Sequence, residues 1–491
     1  MELDKDLLAR QEARTLALQA QKAQKQLEEM PQEALDAIVD AIAAEFSAHA
    51  QELAALAVEE TGFGNVRDKT EKNRFASQTV AQRVKPMKTR GILKECPEEK
   101  LWEIGVPVGV IAAIVPSTNP TSTVCYKAMI ALKAGNTIVF SPHPKAIISL
   151  KAGNTVVFAP HPKALRCTCR AVQIVAEAAE KAGAPKGSVS CLSYGSMAGC
   201  QELMTADPVR LILATGGPGM VKAAYSSGKP AIGVGAGNGP AYIHHSADIS
   251  NALSCIAKSK TFDNGTVCAS EQSIIVERKL EEQVRREGQR QGFFFMNTQQ
   301  AESLARHLFR PNGALSPEVV GRSAEHLAKL AGFSVPAGTK VLVAREEEAG
   351  PTRPYSMEKL CPVLAFYVMD SEDAVLRKAM EVLSHEGSGH TFVIHAQEEG
   401  VIRRFALKIP VSRFLVNTPG ALGGIGSSTG LFPALTLGCG AVGGSASSNN
   451  ISPLDLINIR RVAWDQKKEK QPCQDNLAEF LAEEIMRRLK L

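Results

Sequence analysis

One cysteine, Cys268, lies in a segment whose pattern favours covalent chemistry. Residues 262–272 read FDNGTVCASEQ, in which Asn-Gly predicts a tight turn and the residues after the cysteine predict a strand over 273–276. A thiol on a loop between two packed elements can face a cleft, and backbone amides of that loop can stabilise an oxyanion. The pattern predicts a nucleophile, with a buried core cysteine as the structural alternative.

Asn119 is a candidate donor for such an oxyanion. The segment PSTNPT, residues 116–121, follows directly on the apolar run 111–115, which predicts a buried strand. An asparagine at the carboxyl end of a parallel strand can direct its amide into the cleft where α/β proteins bind ligands. Asn-Pro is also a common turn, so both interpretations of this segment stay open.

Two glycine-rich segments could bring backbone amides close to a phosphate. Thr215, Gly216 and Gly217 begin the segment TGGPGM, which follows a predicted strand over 210–214 and opens a predicted helix. Residues 233–239, GVGAGNG, are similar in composition. Neither segment contains a complete Gly-x-Gly-x-x-Gly, and a structural turn explains each of them equally well.

Helical and strand-like patterns alternate along the chain, which predicts an α/β fold with parallel sheets. The apolar run Ile104–Val115 predicts one strand that is buried on both faces of such a sheet. Residues 35–46 have helical spacing, and Gly62 and Gly64 are expected to end this helical region. The further predicted strands are 137–140, 156–158, 210–214, 231–234, 273–276 and 392–395, and the further predicted helices are 169–182, 220–227, 249–260, 299–309 and 323–331.

An 18-residue segment occurs twice in succession. Residues 129–146 read MIALKAGNTIVFSPHPKA and residues 147–164 read IISLKAGNTVVFAPHPKA. Solenoids need about three repeats to bury a continuous core, so two copies indicate a local tandem duplication. A sheet has one position for such a unit, so we expect one copy to be displaced as an insertion. The sequence does not specify which copy this is.

Composition and charge exclude several classes of protein. Of 491 residues, 44% are hydrophobic and 22% are charged, as in globular proteins and unlike disordered or collagen-like chains. The charged N-terminal residues lack the apolar region of a secretory signal, and no apolar run approaches the length of a membrane span. The net charge of +5 is small, so neither nucleic acid nor a membrane is expected as a partner.

Cysteine and histidine spacing indicates neither a disulfide framework nor a metal site. The 11 cysteines are scattered and are expected to be reduced, and Cys167 and Cys169 are too close together for a zinc ribbon. His385, His390 and His395 recur every five residues and do not share a helical face. His390 could line an active site, but a structural role explains it equally well. We predict no metal centre.

Taken together, these segments resemble the aldehyde dehydrogenase family, and within it the CoA-acylating branch that acts on acetaldehyde and propionaldehyde. The resemblance extends from about residue 5 to residue 465. The segment around Cys268 is highly specific, whereas the glycine loops are not. The matching segments are 116–121, 134–144, 214–220, 263–272, 389–391 and 436–440.

The resemblance implies Cys268 as the catalytic nucleophile, with the Asn119 side chain and the Cys268 backbone N–H as oxyanion donors. It implies oxidation of a short-chain aldehyde with NAD, and transfer of the acyl group from the cysteine thioester to coenzyme A. Glu358 resembles the family glutamate that binds the nicotinamide ribose. The residues expected to bind NAD are Pro142, His143, Thr215, Gly216, Gly217 and Glu358.

One departure separates the sequence from the hydrolytic branch of that family. Hydrolytic enzymes carry a glutamate 34 residues before the nucleophile as the base for water, and Val234 stands at this position here. A thioester that water attacks slowly can persist until a thiol arrives, which favours coenzyme A as acceptor. The alternatives are a CoA-independent aldehyde or semialdehyde dehydrogenase and an inactive microcompartment scaffold.

The resemblance also implies an aldehyde dehydrogenase fold in three parts. A Rossmann-like cofactor domain is expected over 1–240 and a catalytic α/β domain over 241–420. A small oligomerisation element would combine 88–108 with 445–465, and we expect a homodimer or homotetramer.

Residues 466–491 lie beyond the resemblance and predict a polar linker followed by a targeting helix. An apolar stripe on this helix is formed by Leu477, Leu481, Ile485 and Leu489. The helix resembles the encapsulation peptides that bind shell proteins of bacterial microcompartments, and the alternative is a helix packed on its own domain. The expected location is therefore the bacterial cytoplasm, inside a microcompartment.

Overall fold

Three β-sheets organise the protein. The structure, a computed structural model, describes residues 4–142, 164–466 and 475–489. It contains a five-stranded and a seven-stranded parallel sheet and a three-stranded antiparallel sheet. The predicted α/β fold with parallel sheets is confirmed. Among the helices of the described ranges, none has both the length and the apolar character needed to cross a membrane.

The helices and strands are numbered in chain order. The α-helices of the described ranges are α1 Lys5–Leu27, α2 Gln32–Ala48, α3 Ala50–Thr61, α4 Val66–Arg74, α5 Val80–Val84, α6 Pro120–Lys133, α7 Leu165–Lys181, α8 Met197–Thr205, α9 Pro218–Tyr225, α10 Ile249–Thr261, α11 Glu281–Arg290, α12 Thr298–Leu308, α13 Ala324–Leu330, α14 Glu372–His385, α15 Glu399–Ala406, α16 Gly420–Gly424 and α17 Asp475–Leu489. The strands are β1 Gly91–Cys96, β2 Leu101–Pro107, β3 Val110–Val115, β4 Ile138–Pro142, β5 Val189–Cys191, β6 Val209–Thr215, β7 Ala231–Val234, β8 Gly239–Ile243, β9 Glu271–Glu277, β10 Phe293–Phe295, β11 Val341–Arg345, β12 Val363–Met369, β13 Gly389–His395, β14 Val411–Val416 and β15 Ile457–Ala463.

The five-stranded sheet has the strand order β5-β4-β3-β6-β7, with all neighbours parallel. Counted along the chain this is the order 3-2-1-4-5 of a dinucleotide-binding sheet. Val110, Ala112 and Ile114 of β3 pack with α1, α8 and α9, whereas the residues between them pack with α2, α6 and α7. Helices on both faces explain why this strand is continuously apolar.

The predicted single strand over Ile104–Val115 is wrong. The chain forms β2 and β3 there, and these two strands belong to different sheets. Gly109, between them, has a φ of 115°, which residues with a side chain rarely adopt. β2 pairs with β1 and β15 in the antiparallel sheet and is mostly half-buried. An apolar run alone does not reveal the residue at which the chain leaves one sheet for another.

The seven-stranded sheet has the order β10-β11-β12-β9-β8-β13-β14, again with parallel neighbours. Alternate residues of its central strands face two separate apolar clusters, so both faces are covered. The side chain of Asn119, which follows β3, donates a hydrogen bond to the backbone of Thr266, which precedes β9. The carboxyl end of β3 therefore faces the amino end of β9. The predicted residues for chemistry therefore meet between two sheets.

The remaining predicted elements agree well with the structure. Each predicted helix has a counterpart, and so has each predicted strand except 156–158, which lies outside the described residues. The first copy of the duplicated segment provides β4, which lies between β3 and β5. The second copy lies outside the described residues except for Ala164, which immediately precedes α7.

Deleting residues 147–164 should leave a folded protein. The deletion keeps β4 and joins Ala146 to Leu165, and the four residues before α7 stay His-Pro-Lys-Ala because the two copies end identically. We expect a thermal midpoint within a few degrees of wild type and an unchanged gel-filtration volume. Deleting 165–181 instead removes α7 and should yield insoluble protein. Aggregation of the first variant would show that the second copy has become structural.

Candidate active site

Cys268 lies on the loop between a 3₁₀ turn, Phe262–Gly265, and β9. Its side chain is half-buried, and its Sγ lies 3.3 Å from Nε2 of His390. His390 is fully buried at the start of β13, and its Nδ1 lies 2.8 Å from Oγ1 of Thr391. The sequence left the role of His390 open, whereas the structure places it against the thiol.

The thiol and the imidazole are both held neutral near pH 7. Burial, and then the charge of Glu358, raise the pKa of Cys268 to about 12, although Arg413 acts in the opposite direction. Burial, and then the charge of Arg413, hold the pKa of His390 well below its usual range. A neutral imidazole nitrogen can accept the thiol proton during attack, so this pair does not store a permanent thiolate.

The loop before Cys268 has an unusual backbone. Asp263, Asn264 and Gly265 have φ values of 48°, 52° and 77°, so three successive residues are left-handed. The turn predicted from Asn-Gly is confirmed but begins one residue earlier.

Gly237 lies against this loop, because a Cβ on it would stand 2.0 Å from the carbonyl oxygen of Cys268. Close approach to Cys268 therefore explains the glycine at this point of segment 233–239.

Asn119 is the residue before α6, and its side chain is half-buried. Its Nδ2 donates to the carbonyl oxygen of Thr266 and to Oγ1 of Thr118, each at 3.2 Å. Its Oδ1 accepts a hydrogen bond of 2.5 Å from Nζ of Lys72. The structure thus brings the Asn119 amide to the loop of Cys268. Its role as an oxyanion donor stays a prediction.

A buried ion-pair network, which the sequence analysis missed, supports this arrangement. Oδ2 of Asp263 accepts hydrogen bonds from Nζ of Lys69 at 2.9 Å, from Nζ of Lys72 at 2.6 Å and from Oγ1 of Thr266 at 2.7 Å. The side chains of Asp263 and both lysines are at most 3% exposed. Burial lowers the pKa of Lys72 to about 8, although Asp263 opposes this change. The two lysines hold the pKa of Asp263 below its usual range, against the effect of burial.

The network was missed because α4 has a polar buried face. Lys69, Lys72 and Asn73 are buried on one side of this helix, where a search for apolar spacing finds nothing. Gly64, which the sequence places at the end of a helical region, is the one signal for this contact. Its φ is 71°, and a Cβ there would stand 1.8 Å from Oδ1 of Asp263.

The loop after β6 has space and donors for a phosphate group. Gly217 precedes α9, and the positions that a Cβ would take on Gly217 and Gly219 have no atom within 4 Å. The buried Oγ1 of Thr215 has no hydrogen-bond partner among the described residues. Open backbone at a helix amino end, with an unpaired hydroxyl beside it, fits the pyrophosphate of a dinucleotide.

The other residues expected at the cofactor have mixed outcomes. Oε1 of Glu358 accepts a hydrogen bond from the backbone N–H of Gly237 at 2.9 Å. Burial, and then the nearby Glu386, raise the pKa of Glu358 to about 8, so its carboxyl group is mostly protonated at pH 7. Pro142 is buried at the carboxyl end of β4, and His143 lies outside the described residues.

A cavity of about 570 Å³ adjoins the ion-pair network. Phe262, Leu422 and Ile425 contribute apolar lining, and the exposed Arg67 contributes charge. Lys72 belongs both to this lining and to the network, whereas neither Asn119 nor Cys268 lines the cavity. Its volume is ample for a short aldehyde.

A separate polar cluster combines two histidines and two glutamates whose ligand-type atoms lie within 4.8 Å of one another: His244, His245, Glu277 and Glu372. Arg404 lies 2.9 Å from Glu372 and Lys279 lies 3.3 Å from Glu277, so a cation already faces each carboxylate. The backbone N–H of Ser246 also donates to Nδ1 of His244 at 3.2 Å. We interpret the cluster as a set of ion pairs.

The sequence profile of the Aldehyde dehydrogenase family matches residues 6–150 and, again, residues 144–291. The two matches overlap within the duplicated segment. Bifunctional aldehyde-alcohol dehydrogenase AdhE of Escherichia coli K12 is 41% identical over 458 residues, which are 92% of this chain and 49% of that protein. The chain therefore spans about half the length of this relative. The succinate-semialdehyde dehydrogenase (acetylating) of Clostridium kluyveri is 35% identical and covers 93% of this chain and 97% of that protein.

Solved structures of similar proteins share the whole fold. A probable aldehyde dehydrogenase from Listeria monocytogenes EGD-e has 52% identity and a TM-score of 0.90, covering 95% of this chain and 99% of that chain. An acetylating aldehyde dehydrogenase from Geobacillus thermoglucosidasius has 46% identity and a TM-score of 0.90, covering 96% and 100%. A propionaldehyde dehydrogenase from the Clostridium phytofermentans fucose utilisation bacterial microcompartment has 27% identity and a TM-score of 0.79, covering 91% and 96%.

Alkylation of Cys268 by iodoacetamide should accelerate about tenfold per pH unit throughout pH 7–9.5, because the thiolate is the reactive form and its pKa lies near 12. The rate is followed by mass spectrometry of the peptide that contains Cys268. N-acetylcysteine amide is the control, and its rate should level off above about pH 8.5. A plateau below pH 8 for Cys268 would instead show a thiolate stabilised by a charged His390.

Proposed function

The chain belongs to the aldehyde dehydrogenase family, and from this premise we propose that it oxidises a short-chain aldehyde to an acyl-CoA, with NAD as cofactor. The observation that carries the proposal is the position of the Cys268 Sγ, which lies 3.3 Å from the neutral imidazole of His390. The Asn119 amide contacts the loop that carries Cys268. The names of the two acetylating relatives support coenzyme A as the acyl acceptor. Acetaldehyde and propionaldehyde are the proposed substrates.

Attack on the aldehyde forms a bond between Sγ of Cys268 and the carbonyl carbon. The thiol proton passes to Nε2 of His390, whose lowered pKa lets it release the proton again. The carbonyl oxygen becomes an alkoxide and receives hydrogen bonds from Nδ2 of Asn119 and from the backbone N–H of Cys268. Donors fixed before the reaction begins stabilise this charge without reorganisation.

NAD, when bound, supplies the hydride acceptor for the oxidation step. Thr215, Gly216 and Gly217 would hold its phosphates at the amino end of α9, and Pro142 and His143 are proposed as further residues that bind it. Glu358 would face the nicotinamide ribose. Loss of hydride from the former carbonyl carbon restores its double bond to oxygen and leaves an acyl thioester on Cys268.

Transfer to coenzyme A completes the proposed reaction. The CoA thiol attacks the acyl carbon, the bond to Sγ of Cys268 breaks, and the CoA thiol proton replaces the one that Cys268 gave up. Water competes poorly because Val234, a buried apolar residue, stands where the hydrolytic enzymes carry their glutamate base. An apolar side chain cannot take a proton from water.

The purified enzyme should release NADH and form acyl-CoA from acetaldehyde or propionaldehyde only when coenzyme A is present. NADH absorbance and mass spectrometry of the acyl-CoA are measured together. Cys268→Ala should lower the rate by about 10³-fold or more, because no covalent intermediate can form. Cys255→Ala, at a half-buried cysteine of α10, is the matched control and should retain wild-type activity.

The other interpretations give different results in the same assay. Sustained NADH release without coenzyme A, with a free acid as product, would identify a CoA-independent aldehyde or semialdehyde dehydrogenase. No turnover with any C2–C4 aldehyde would identify an inactive scaffold. Either result would overturn the proposal.

We propose that the antiparallel sheet of β1, β2 and β15 mediates a homodimer, or a homotetramer built from such dimers. β15 is an edge strand of this sheet, so its outer backbone groups face away from β2. Ile459 on β15 is 43% exposed and Trp464, just beyond it, is 47% exposed. An edge strand with exposed apolar residues is favourable for pairing with a second copy of the chain.

We propose that α17 binds a shell protein of a bacterial microcompartment and so locates the enzyme inside that compartment in the cytoplasm. Leu481, Ile485 and Leu489 follow one another at helical spacing and are 49–63% exposed. Such a stripe suits an apolar groove on a partner. The microcompartment origin of one structural neighbour, the propionaldehyde dehydrogenase of Clostridium phytofermentans, supports this location.

Replacing Leu481 and Ile485 with Glu should abolish co-sedimentation with microcompartment shells, since a carboxylate is costly to desolvate in an apolar groove. The kcat and KM for aldehyde should stay at wild-type values, because α17 lies beyond every candidate site residue. Glu479→Gln and Glu483→Gln together form the matched control and should retain co-sedimentation. Shell binding that survives the Glu substitutions would rule out α17 as the targeting element.

A further inference from the structure

We propose that Lys72 is a positioning residue that fixes the Asn119 carboxamide with its N–H donors toward the oxyanion site at Cys268. The inference deepens the proposed function and rests on it for the identity of the oxyanion. It is carried by three hydrogen bonds of one buried ammonium group, none of which the sequence analysis anticipated.

All three N–H donors of Lys72 have acceptors within the protein. Nζ donates to Oδ1 of Asn119 at 2.5 Å, to Oδ2 of Asp263 at 2.6 Å and to Oγ1 of Thr266 at 2.9 Å. The side chain is 3% exposed. An ammonium has three donors and no acceptor, so these contacts use it completely and leave no N–H for the substrate.

The charge of Lys72 dictates which end of Asn119 faces it. The oxygen and nitrogen ends of a carboxamide are similar in shape, so packing alone does not separate the two orientations. A flipped Asn119 would place its own N–H groups against the ammonium, in a buried site where repulsion is strong. The orientation in the structure puts Nδ2 on the side of Thr266 and the Cys268 loop.

In this orientation, an N–H group of Asn119 can leave its present acceptor and donate to the oxyanion instead. Both hydrogen bonds of Nδ2 are 3.2 Å long, at the weak end of the normal range for N–H···O. A developing alkoxide is a stronger acceptor than a hydroxyl or a peptide carbonyl, so one N–H can pass to it at little cost. With the opposite orientation, Oδ1 would face the alkoxide and repel it.

Lys69 provides an internal control for this role. Its Nζ also donates to Oδ2 of Asp263, at 2.9 Å, and its side chain is likewise 3% exposed. Its other hydrogen bond goes to the carbonyl oxygen of Thr118, at 2.7 Å, and not to the Asn119 side chain. Removing either lysine therefore leaves Asp263 with one cation, but only loss of Lys72 removes the charged donor from Oδ1 of Asn119 and leaves the carboxamide with the two weaker hydrogen bonds of Nδ2.

The test uses acylation of Cys268 by p-nitrophenyl acetate, which needs neither NAD nor coenzyme A. Sγ bonds to the acetyl carbon through an oxyanion, p-nitrophenolate leaves, and the thiol proton passes to His390 and then to solvent. Burst rates are measured for wild type, Lys72→Met, Lys69→Met, Asn119→Ala and the Lys72→Met/Asn119→Ala double variant. Thermal unfolding of each variant is recorded in parallel, and aldehyde oxidation is measured on the same preparations.

Asn119→Ala should slow the burst by about 10²–10³-fold, as for loss of one oxyanion donor. Lys72→Met should slow it by about tenfold or more, and Lys69→Met by less than about threefold. The double variant should be within about threefold of Asn119→Ala alone, because Lys72 acts only through Asn119. A purely structural role of Lys72 would not produce this coupling.

A burst of Lys72→Met within threefold of wild type would overturn the proposal, and so would two losses that multiply in the double variant. If Lys72→Met does not fold, Lys72→Gln and Lys69→Gln replace the Met variants. An amide can donate or accept, so it no longer dictates the orientation of Asn119, and the larger loss is still expected at position 72. Wild-type protein with the expected burst pattern but without aldehyde oxidation would overturn the proposed function and leave the role of Lys72 standing.

Discussion

The buried carboxylate of Asp263 is the constraint on which the site depends. It receives N–H groups from Lys69, Lys72 and the backbone of Asn65, and a hydroxyl from Thr266. A charge taken out of water is tolerated only with such partners, because a buried charge left without any compensating partner costs about 3–5 kcal/mol. Helix α4, the Cys268 loop and the end of β3 must therefore assemble together, and this assembly brings the Asn119 amide to the loop that carries the thiol.

Apolar periodicity was enough to predict the parallel sheets and most of their helices, because both faces of each sheet are covered. It failed where polar contacts determine the structure. Lys69 and Lys72 lie on a buried face without apolar residues, and the turn at Gly109 separates two strands within one apolar run. His390 is 122 residues from Cys268 along the chain, so only the folded sheet shows that they meet.

The candidate site also limits the charge around the thiol. Cys268, His390 and Glu358 can each carry a charge, but burial favours the neutral form of all three. It raises the pKa values of Cys268 and Glu358 and lowers that of His390. In the proposed reaction, a neutral site would hold an uncharged aldehyde without desolvating a thiolate, and the charge would appear only when Sγ attacks. Arg413 is the cation whose charge acts on Cys268, and it opposes the rise in the pKa of the thiol. For the proposed reaction, this distribution would favour the transition state over the resting state, which is the condition for catalysis.

The same geometry explains why an 18-residue duplication next to β4 is compatible with an intact site. The candidate residues before and after it, Asn119 and Thr215, follow β3 and β6, and these strands pair directly with each other. β4 pairs with the opposite edge of β3, so added chain after Pro142 lengthens a connection to α7 without changing the β3–β6 register. His390 lies on β13 of the other sheet and Cys268 on the loop before β9, and the Asp263 network holds that loop next to Asn119. The contacts among Cys268, His390 and Asn119 that the structure describes therefore do not involve residues of the second copy.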